Sequence, residues 1–207
     1  IMVPFLAQIR DETGVTLSDL NLGGGYGVRY TQEAEAIDIP ARLAELAAYL
    51  KEETERLGLP MPRFLMEPGR SIVADAGMTL YTVGSVKRIP GYKQYAAVDG
   101  GMTDNPRYAL YQSRYTVYHA HKSGSMERFD VVGRCCESGD IIQPGVELPG
   151  DTCRGDILAV CTTGAYNYSM ASNYNRLPRP AVVMLTPDRI YEAVRRETFA
   201  DLTGLDL

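Results

Sequence analysis

The sequence has no tryptophan, only two histidines and only four phenylalanines among its 207 residues. It also lacks any apolar run near the roughly 20 residues that cross a bilayer, so it predicts no membrane-spanning helix. The formal net charge of −5 and the pI near 5.1 argue against nucleic acid or an anionic membrane surface as a partner. With 45% hydrophobic and 23% charged residues, the chain can fold into one large domain or two small ones.

Cysteine is scarce and confined to one stretch of the chain: Cys135, Cys136, Cys153 and Cys161. No second cysteine pair or histidine pair stands at the spacing of a zinc site, so we predict no metal. Reduced thiols in a cytoplasmic protein are the simplest interpretation. The opening "IMVPFLA" has neither a basic flank nor a cleavage site, which disfavours a signal peptide. Because position 1 is not Met, we expect that the chain has lost its true beginning.

The first part of the chain predicts a βαβ unit. Residues 16–22 alternate apolar and polar side chains and end at three glycines, which is typical of a strand. Asp38 is a candidate N-cap for a helix of apolar 3–4 spacing that ends at Gly58. "PRFLME", residues 62–67, predicts a second strand, parallel to the first.

The pattern changes at about Met78. Short segments rich in Val, Tyr, Thr and Ile follow one another, separated by turn clusters such as "PGYK" and "ESGD", with no helix between them. This pattern is typical of a β-barrel or sandwich. We therefore predict an α/β part, residues 1–79, followed by an all-β domain with a short tail, residues 80–207.

The three glycines allow two interpretations, a structural turn or a loop whose amides bind phosphate. The dinucleotide fingerprint would need a third glycine where Val28 stands, so a Rossmann fold is disfavoured. The second predicted strand runs into "EPGRS", Glu67–Ser71, which carries one acid and one arginine. Two such strand ends fit the phosphate site of a (β/α)8 barrel, although a solvated surface turn also explains Pro-Gly.

Three further groups of side chains in the β domain are candidates for chemistry. Arg107 and Tyr111, four residues apart, would share one face of a short helix and suit a carboxylate, or both lie on the solvated surface. Cys136 and Glu137 place a thiol beside a carboxylate, which a generic turn also explains. Three tyrosines follow among small residues, where packing on a sheet edge is the simplest interpretation: Tyr166, Tyr168 and Tyr174.

Five motifs, in this order and spacing, resemble the diaminopimelate decarboxylase family: "LGGGYG", "EPGRSIV", "VDGGMTDNPRYALY", "GRCCESGD" and "GAYNYSMASNYNRLPRP". This family belongs to the alanine-racemase-like, fold-type III class of pyridoxal-phosphate enzymes. The resemblance covers nearly the whole chain. It implies a cytoplasmic lyase of lysine biosynthesis that decarboxylates meso-diaminopimelate to L-lysine. It also implies the last βα units of a TIM-type (β/α)8 barrel before the β domain, and a homodimer whose active sites lie at the subunit interface.

The resemblance further implies which residues bind pyridoxal 5′-phosphate. The cofactor-binding residues would be Gly23, Gly24, Gly25, Glu67, Gly69, Arg70 and Tyr166. Among them the glycines and the loop of Arg70 would hold the phosphate, and Glu67 would face the pyridine nitrogen. A carboxylate at that nitrogen keeps the ring protonated, which makes it a better electron sink.

For the amino-acid substrate, the resemblance implies a second set of residues: Arg70, Arg107, Tyr111, Glu137 and Tyr166. The two arginines and Tyr111 would bind the distal carboxylate, and Glu137 would hold the distal ammonium. The catalytic residue would be Cys136, which the partner subunit contributes and which protonates the carbanion.

The family's cofactor lysine lies well upstream of the glycine motif, and this chain begins only about twenty residues before that motif. The lysines available in this chain are Lys51, Lys87, Lys93 and Lys122, none of them at a predicted strand end. We therefore expect the C-terminal half of such an enzyme, inactive alone and completed by an N-terminal barrel half.

Two alternatives remain open at this point. Decarboxylases for arginine, ornithine or carboxynorspermidine share the glycine loop and "CESGD". The pair Arg107 and Tyr111 favours a substrate with a distal carboxylate, which ornithine lacks. A non-catalytic homologue kept for binding a partner is the second alternative, and the presence of Arg70, Cys136 and Glu137 argues against it.

Overall fold

The computed structural model describes all of residues 1–207 and divides them into two compact units. The first unit comprises Ile1–Arg29 and Ala34–Ile72, and the second comprises Tyr30–Glu33 and Val73–Leu207. Among the helices of both units, none combines the length and the apolar character needed to cross a membrane.

The first unit contains a parallel pair of strands flanked by helices. Its elements are α1 (Met2–Thr13), β1 (Asp19–Gly24), α2 (Ile39–Arg56), β2 (Arg63–Glu67) and the start of α3 (Gly69–Val73). The predicted parallel pairing is confirmed, with Leu20 opposite Phe64. Asp38 is the N-cap of α2, because its carboxylate accepts a hydrogen bond of 3.0 Å from the backbone N–H of Ala41.

Two local predictions for this unit were incomplete. The sequence analysis assigned no structure to the opening residues, which form α1 and bury Val3 and Leu6 against Leu20 and Leu50. The spacing of those apolar residues suits one helical face. Strand β1 begins at Asp19, not near residue 16, because Leu17 is 41% exposed and the alternating pattern before it covers no core.

The second unit is built on a six-stranded mixed sheet with the order β5-β8-β3-β4-β6-β7. Its strands are β3 (Met78–Ile89), β4 (Lys93–Val98), β5 (Val117–His119), β6 (Met126–Val132), β7 (Ile141–Pro149) and β8 (Ile157–Cys161). Only β4 and β6 pair in parallel, and the other neighbours are antiparallel. The prediction of an all-β architecture for this region is therefore confirmed for its main sheet.

The sheet curves until it is nearly a barrel. Phe129, Ile142 and Leu158 are fully buried in its interior, as expected for inward-facing positions. The two edge strands, β5 and β7, contact each other. The backbone N–H of Tyr115, just before β5, donates a 2.8 Å hydrogen bond to the Gln143 side-chain oxygen on β7. We call the contact between the edge strands β5 and β7 the seam. The buried Gln143 side chain supplies a hydrogen bond there in place of a backbone hydrogen bond between the two strands.

Short elements connect and follow the sheet. They are α4 (Arg107–Tyr111), the 3₁₀ turns Tyr168–Met170 and Tyr174–Arg176, β9 (Val182–Leu185), β10 (Ile190–Val194) and α5 (Phe199–Thr203). β9 does not join the main sheet but pairs with β10 in a separate two-stranded sheet. The sequence analysis missed β7, because Pro144 and Gly145 interrupt its alternation. Gly145 has a φ of 67°, and its N–H donates a 2.8 Å hydrogen bond to the Asp130 carboxylate.

The seam predicts a specific loss of stability. Replacing Gln143 by the nearly isosteric Met leaves the buried N–H of Tyr115 without an acceptor, which costs about 1–3 kcal/mol. Urea denaturation followed by circular dichroism measures this loss. As a matched control, Gln94→Met removes a 2.7 Å hydrogen bond to exposed Glu127 and should change stability by less than about 0.5 kcal/mol. An equal loss of stability in both variants would contradict the stabilising role of Gln143 between β5 and β7.

Candidate active site

The three glycines at the end of β1 are each required for a different reason. Gly23 and Gly25 have φ angles of 71° and 86°, in the left-handed region that side chains disfavour. Gly24 has an ordinary φ, but a Cβ there would overlap the backbone carbonyl oxygen of Glu67 on β2. The loop therefore needs glycine both for its conformation and for its close approach to β2.

Asn21 ties this loop to the predicted acid. Its side-chain oxygen accepts a 2.7 Å hydrogen bond from the N–H of Gly23, and its side-chain nitrogen donates a 2.8 Å bond to the Glu67 carboxylate. The sequence analysis missed Asn21. An asparagine two residues before a glycine is a known turn signal and could have pointed to it.

Arg70 lies just beyond β2, where the hydroxyl and the N–H of Ser71 both donate to the Pro68 carbonyl oxygen, at 2.7 Å and 2.9 Å. The Arg70 Nε is buried and has no hydrogen-bond partner. A buried guanidinium N–H without an acceptor is costly unless an anionic ligand accepts from it. Around Gly23, Gly25 and Gly69, the space that a side chain would fill is open. These residues fit a phosphate-bearing cofactor.

In the second unit, the guanidinium of Arg107 lies between two phenol rings. Its Cζ is 5.3 Å from the centre of the Tyr111 ring and 5.1 Å from that of Tyr166. The shared face predicted for Arg107 and Tyr111 is confirmed by their contact on α4. Tyr166 has a φ of 71°, which is rare outside glycine and marks a position held by its surroundings.

Arg107 is 7% exposed and has no carboxylate partner. Its Nε donates no hydrogen bond, and its Nη2 is 3.5 Å from the Ser113 hydroxyl, a long contact. A buried cation without a counter-ion is destabilising on its own. The alternative interpretation, that both residues lie on the solvated surface, is therefore wrong for Arg107, whereas Tyr111 is 61% exposed and agrees with it. The geometry around Arg107 suits an incoming anion.

Two buried asparagines, which the sequence analysis did not single out, also have unpartnered atoms. Asn105 is 1% exposed, and neither atom of its amide group has a partner. Asn167 accepts a 3.4 Å hydrogen bond from the Tyr115 hydroxyl but leaves its amide nitrogen unpartnered. Burial raises the pKa of Tyr115, so its phenol stays neutral. No sequence signal marks such atoms, because their environment comes from distant segments.

Cys135 and Cys136 are adjacent but lie in opposite environments. Cys135 is 1% exposed, with its sulfur 3.7 Å from the Thr103 hydroxyl, and burial raises the pKa of its thiol. Cys136 is exposed. Strand alternation is not the cause, because β6 ends at Val132 and the two residues are not in a strand. Instead, the chain bends at Cys136, which has a φ of 53°.

Glu137, next to that thiol, accepts hydrogen bonds of 3.0 Å from both the Tyr174 hydroxyl and the Ser138 N–H. These bonds, with Tyr174 first, lower the pKa of Glu137, so its carboxylate is charged at neutral pH. Tyr174, for which edge packing was the simplest interpretation, therefore contacts a predicted site residue. The arrangement suits an ammonium group.

Asp140 stabilises the turn that carries Cys136. It was not among the predicted site residues. Its buried carboxylate accepts hydrogen bonds of 2.6 Å from the N–H groups of Met102 and Cys135. A Cβ at Gly101 or Gly133 would collide with this carboxylate. Asp140 thereby joins the Cys136 turn to the loop that leads into α4.

None of the four lysines considered above lies in a buried site. Lys51 and Lys87 are exposed, Lys93 is 2.6 Å from the Asp130 carboxylate, and Lys122 is 2.8 Å from Asp156.

Comparison with known proteins gives three kinds of match. Residues 17–164 match the family described as pyridoxal-dependent decarboxylase, C-terminal sheet domain. Diaminopimelate decarboxylase of Bacillus subtilis (strain 168) is 47% identical over 204 residues, which are 98% of this chain and 46% of that protein.

Solved structures show the same similarity to decarboxylases. The crystal structure of diaminopimelate decarboxylase from M. jannaschii in complex with L-lysine superposes with a TM-score of 0.87 at 32% identity, covering 99% of this chain and 46% of that one. A lysine/ornithine decarboxylase from Vibrio vulnificus in complex with cadaverine gives 0.68 at 26%, covering 84% and 46%.

This chain thus spans about half the length of the curated relatives that it matches. The family match covers most of the chain and includes the glycine loop, Glu67, Arg107 and the Cys136 turn. We conclude that the chain belongs to the pyridoxal-dependent decarboxylases and contains their C-terminal sheet domain.

Proposed function

We propose that this chain forms part of an enzyme that decarboxylates meso-diaminopimelate to L-lysine with pyridoxal 5′-phosphate. The observation that carries the proposal is Arg107, a buried cation that lies between two phenol rings and has no counter-ion. Such a group suits a substrate with a second carboxylate, as diaminopimelate has. The similarity to diaminopimelate decarboxylases over nearly the whole chain supports the same conclusion.

The residues of the glycine loop and of the Arg70 turn would hold the cofactor phosphate. Backbone N–H groups of Gly23–Gly25 would donate to its oxygens, and the unpartnered Nε of Arg70 would supply a charged donor. Glu67, oriented by Asn21, would hold a proton at the pyridine nitrogen. When bound, pyridoxal phosphate provides an electron sink for the electron pair left as carbon dioxide departs.

Other residues would orient the substrate. Arg107 and Tyr111, together with Arg70, would bind the distal carboxylate, the guanidinium by a two-pronged hydrogen bond. Glu137, whose carboxylate is charged, would hold the distal ammonium. Tyr166 would contact substrate and cofactor. Ornithine has no distal carboxylate and would leave Arg107 unpaired, which disfavours the ornithine alternative.

We place Cys136 as the proton donor to the carbon that loses carbon dioxide. Its exposure supports a role toward a second subunit. The complete enzyme would be a cytoplasmic homodimer in which residues 1–79 belong to a (β/α)8 barrel and residues 80–207 form the β domain. The four free cysteines agree with a reducing compartment.

The first prediction concerns substrate recognition in the complete enzyme. Arg107→Lys keeps the charge but loses the planar guanidinium, and Tyr111→Phe keeps the ring but loses the hydroxyl. We expect both variants to raise the KM for meso-diaminopimelate by about tenfold or more, with nearly unchanged cofactor affinity. Carbon dioxide release measures the KM, and titration of cofactor absorbance measures the affinity.

Tyr108→Phe is the matched control, because Tyr108 lies on the same helix and is not one of the two rings beside Arg107. Equal losses of cofactor and substrate affinity in the Arg107 and Tyr111 variants would contradict the assignment. Turnover of ornithine but not of diaminopimelate by the wild-type enzyme would overturn the proposed substrate.

The second prediction separates the adjacent thiols. Cys136→Ala should lower turnover by about 10²–10⁴-fold at nearly normal stability, because a positioned proton donor contributes that much. Cys135→Ala should keep most of the turnover and lower the denaturation midpoint instead, since it removes a buried side chain. Mixing Cys136→Ala subunits with subunits that lack the cofactor lysine should restore activity if the sites are shared. If the Cys136→Ala subunits and the subunits without the cofactor lysine did not restore activity when mixed, a shared site would be ruled out.

A further inference from the structure

One carboxylate in the second unit holds both ends of a short segment. The Glu197 carboxylate accepts hydrogen bonds from the side-chain nitrogen of Asn173 at 2.6 Å and from Arg179 through its backbone N–H at 2.8 Å and its Nε at 2.7 Å. The backbone is joined as well, because the Glu197 N–H donates to the Arg179 carbonyl at 3.2 Å. The bonds from Arg179 lower the pKa of Glu197 to about 2, so its carboxylate stays charged.

The segment between those ends, residues 173–179, has an unfavourable backbone. Asn175 and Arg176 have φ angles of 53° and 57°, two consecutive non-glycine residues in the left-handed region. Asparagine tolerates this region, whereas arginine seldom adopts it. Such a pair persists only where contacts outside it fix the chain. The Glu197 carboxylate provides such contacts at both ends.

The same segment makes hydrogen bonds to Cys135 and Glu137, the residues on either side of Cys136. The Asn175 side-chain nitrogen donates a 2.6 Å hydrogen bond to the carbonyl oxygen of Cys135, and the Tyr174 hydroxyl donates a 3.0 Å bond to the Glu137 carboxylate. Cys136 itself is exposed and is not one of the groups that these bonds hold. The segment therefore holds both neighbours of Cys136, Cys135 through Asn175 and Glu137 through Tyr174, in addition to the hydrogen bond from the Cys135 N–H to Asp140.

We propose that Glu197 is a positioning residue for the Cys136–Glu137 turn and acts through Tyr174 and Asn175. It touches neither Cys136 nor Glu137, and its effect passes through the strained segment 173–179. The consequence for catalysis rests on the proposed function. The structural part of the proposal is that Glu197 holds the turn so that Cys135 stays covered. This part concerns this chain alone.

The experiment measures how well the turn covers Cys135. In a Cys136→Ser background, the alkylation rate of each remaining thiol by iodoacetamide is followed by mass spectrometry of the purified chain. Glu197→Gln and Asn175→Ala should each speed alkylation of Cys135 by about tenfold or more. Asn175→Ala removes the donor to the Cys135 carbonyl oxygen, and Glu197→Gln weakens the contacts that hold the segment carrying that donor. The double variant should be little faster than either single one, since both act through one segment.

Two controls distinguish this from general loosening. Asp201→Asn removes another arginine-paired carboxylate, bound by Arg195 and Thr198 outside the segment, and should leave Cys135 protected. Cys161 on β8 is an internal reference thiol whose rate should stay the same in every variant. Equal acceleration of Cys161 and Cys135, or an unchanged Cys135 rate in Glu197→Gln, would overturn the proposal.

A second readout tests the catalytic consequence in the complete, cofactor-loaded enzyme. Glu197→Gln should lower kcat at least about tenfold at unchanged cofactor affinity, and Glu197→Asp, which keeps the charge, should recover part of the loss. If the wild-type enzyme did not decarboxylate diaminopimelate, the proposed function would fail while the thiol result stood. An unchanged kcat in Glu197→Gln, with an exposed Cys135, would overturn the catalytic role alone.

Discussion

The arrangement of the second unit depends on the buried carboxylate of Asp140. It accepts N–H groups from two separate stretches of chain, at Met102 and at Cys135, and the glycines at 101 and 133 leave room for it. One stretch continues into α4 with Arg107, and the other carries Cys136 and Glu137. Hydrogen bonds to a charged acceptor in a buried place are strong and directional. Asp140 therefore links the stretch that carries Arg107 to the stretch that carries Cys136, and the bonds from Tyr174 and Asn175 hold the second stretch in addition.

In each unit, one arginine lacks the hydrogen-bond or ionic partner that its burial would require. Arg107 in the second unit lies next to two phenol rings without a counter-ion, and one buried N–H of Arg70 in the first unit has no acceptor. Both conditions are unfavourable for a chain that only has to fold. Glu137 is the opposite case, since its hydrogen bonds stabilise the charged form before any ligand arrives. Within the second unit, a cation without a partner and an anion that is already stabilised suit ligand groups of opposite charge.

Local sequence signals predicted the elements whose causes are local. The strand before the glycines, the helix capped by Asp38 and the second strand follow from alternation, capping and apolar spacing, and all three form. Strand β7 was missed because Pro144 and Gly145 break its alternation, while its pairing with β6 comes from tertiary contacts. Asp140 and Glu197 were missed for a related reason. Their partners lie far along the chain or in the backbone, and a carboxyl group in a polar turn has no distinctive spacing. Asn21 differs, because its position two residues before Gly23 is a local turn signal.

The long separation between Glu197 and the turn that it holds has a consequence for synthesis. The chain is made from its N-terminus, so Glu137 is added 60 residues before Glu197. At typical ribosomal speeds, that interval is about 3–12 s, far longer than a loop or hairpin needs to form. During those seconds the turn around Cys136 can rely on Asp140 but not on the Glu197 carboxylate. In a nascent chain, the turn that carries Cys136 would therefore be only partly stabilised until Glu197 is synthesised. During that time its thiol would be accessible to oxidants and to chaperones.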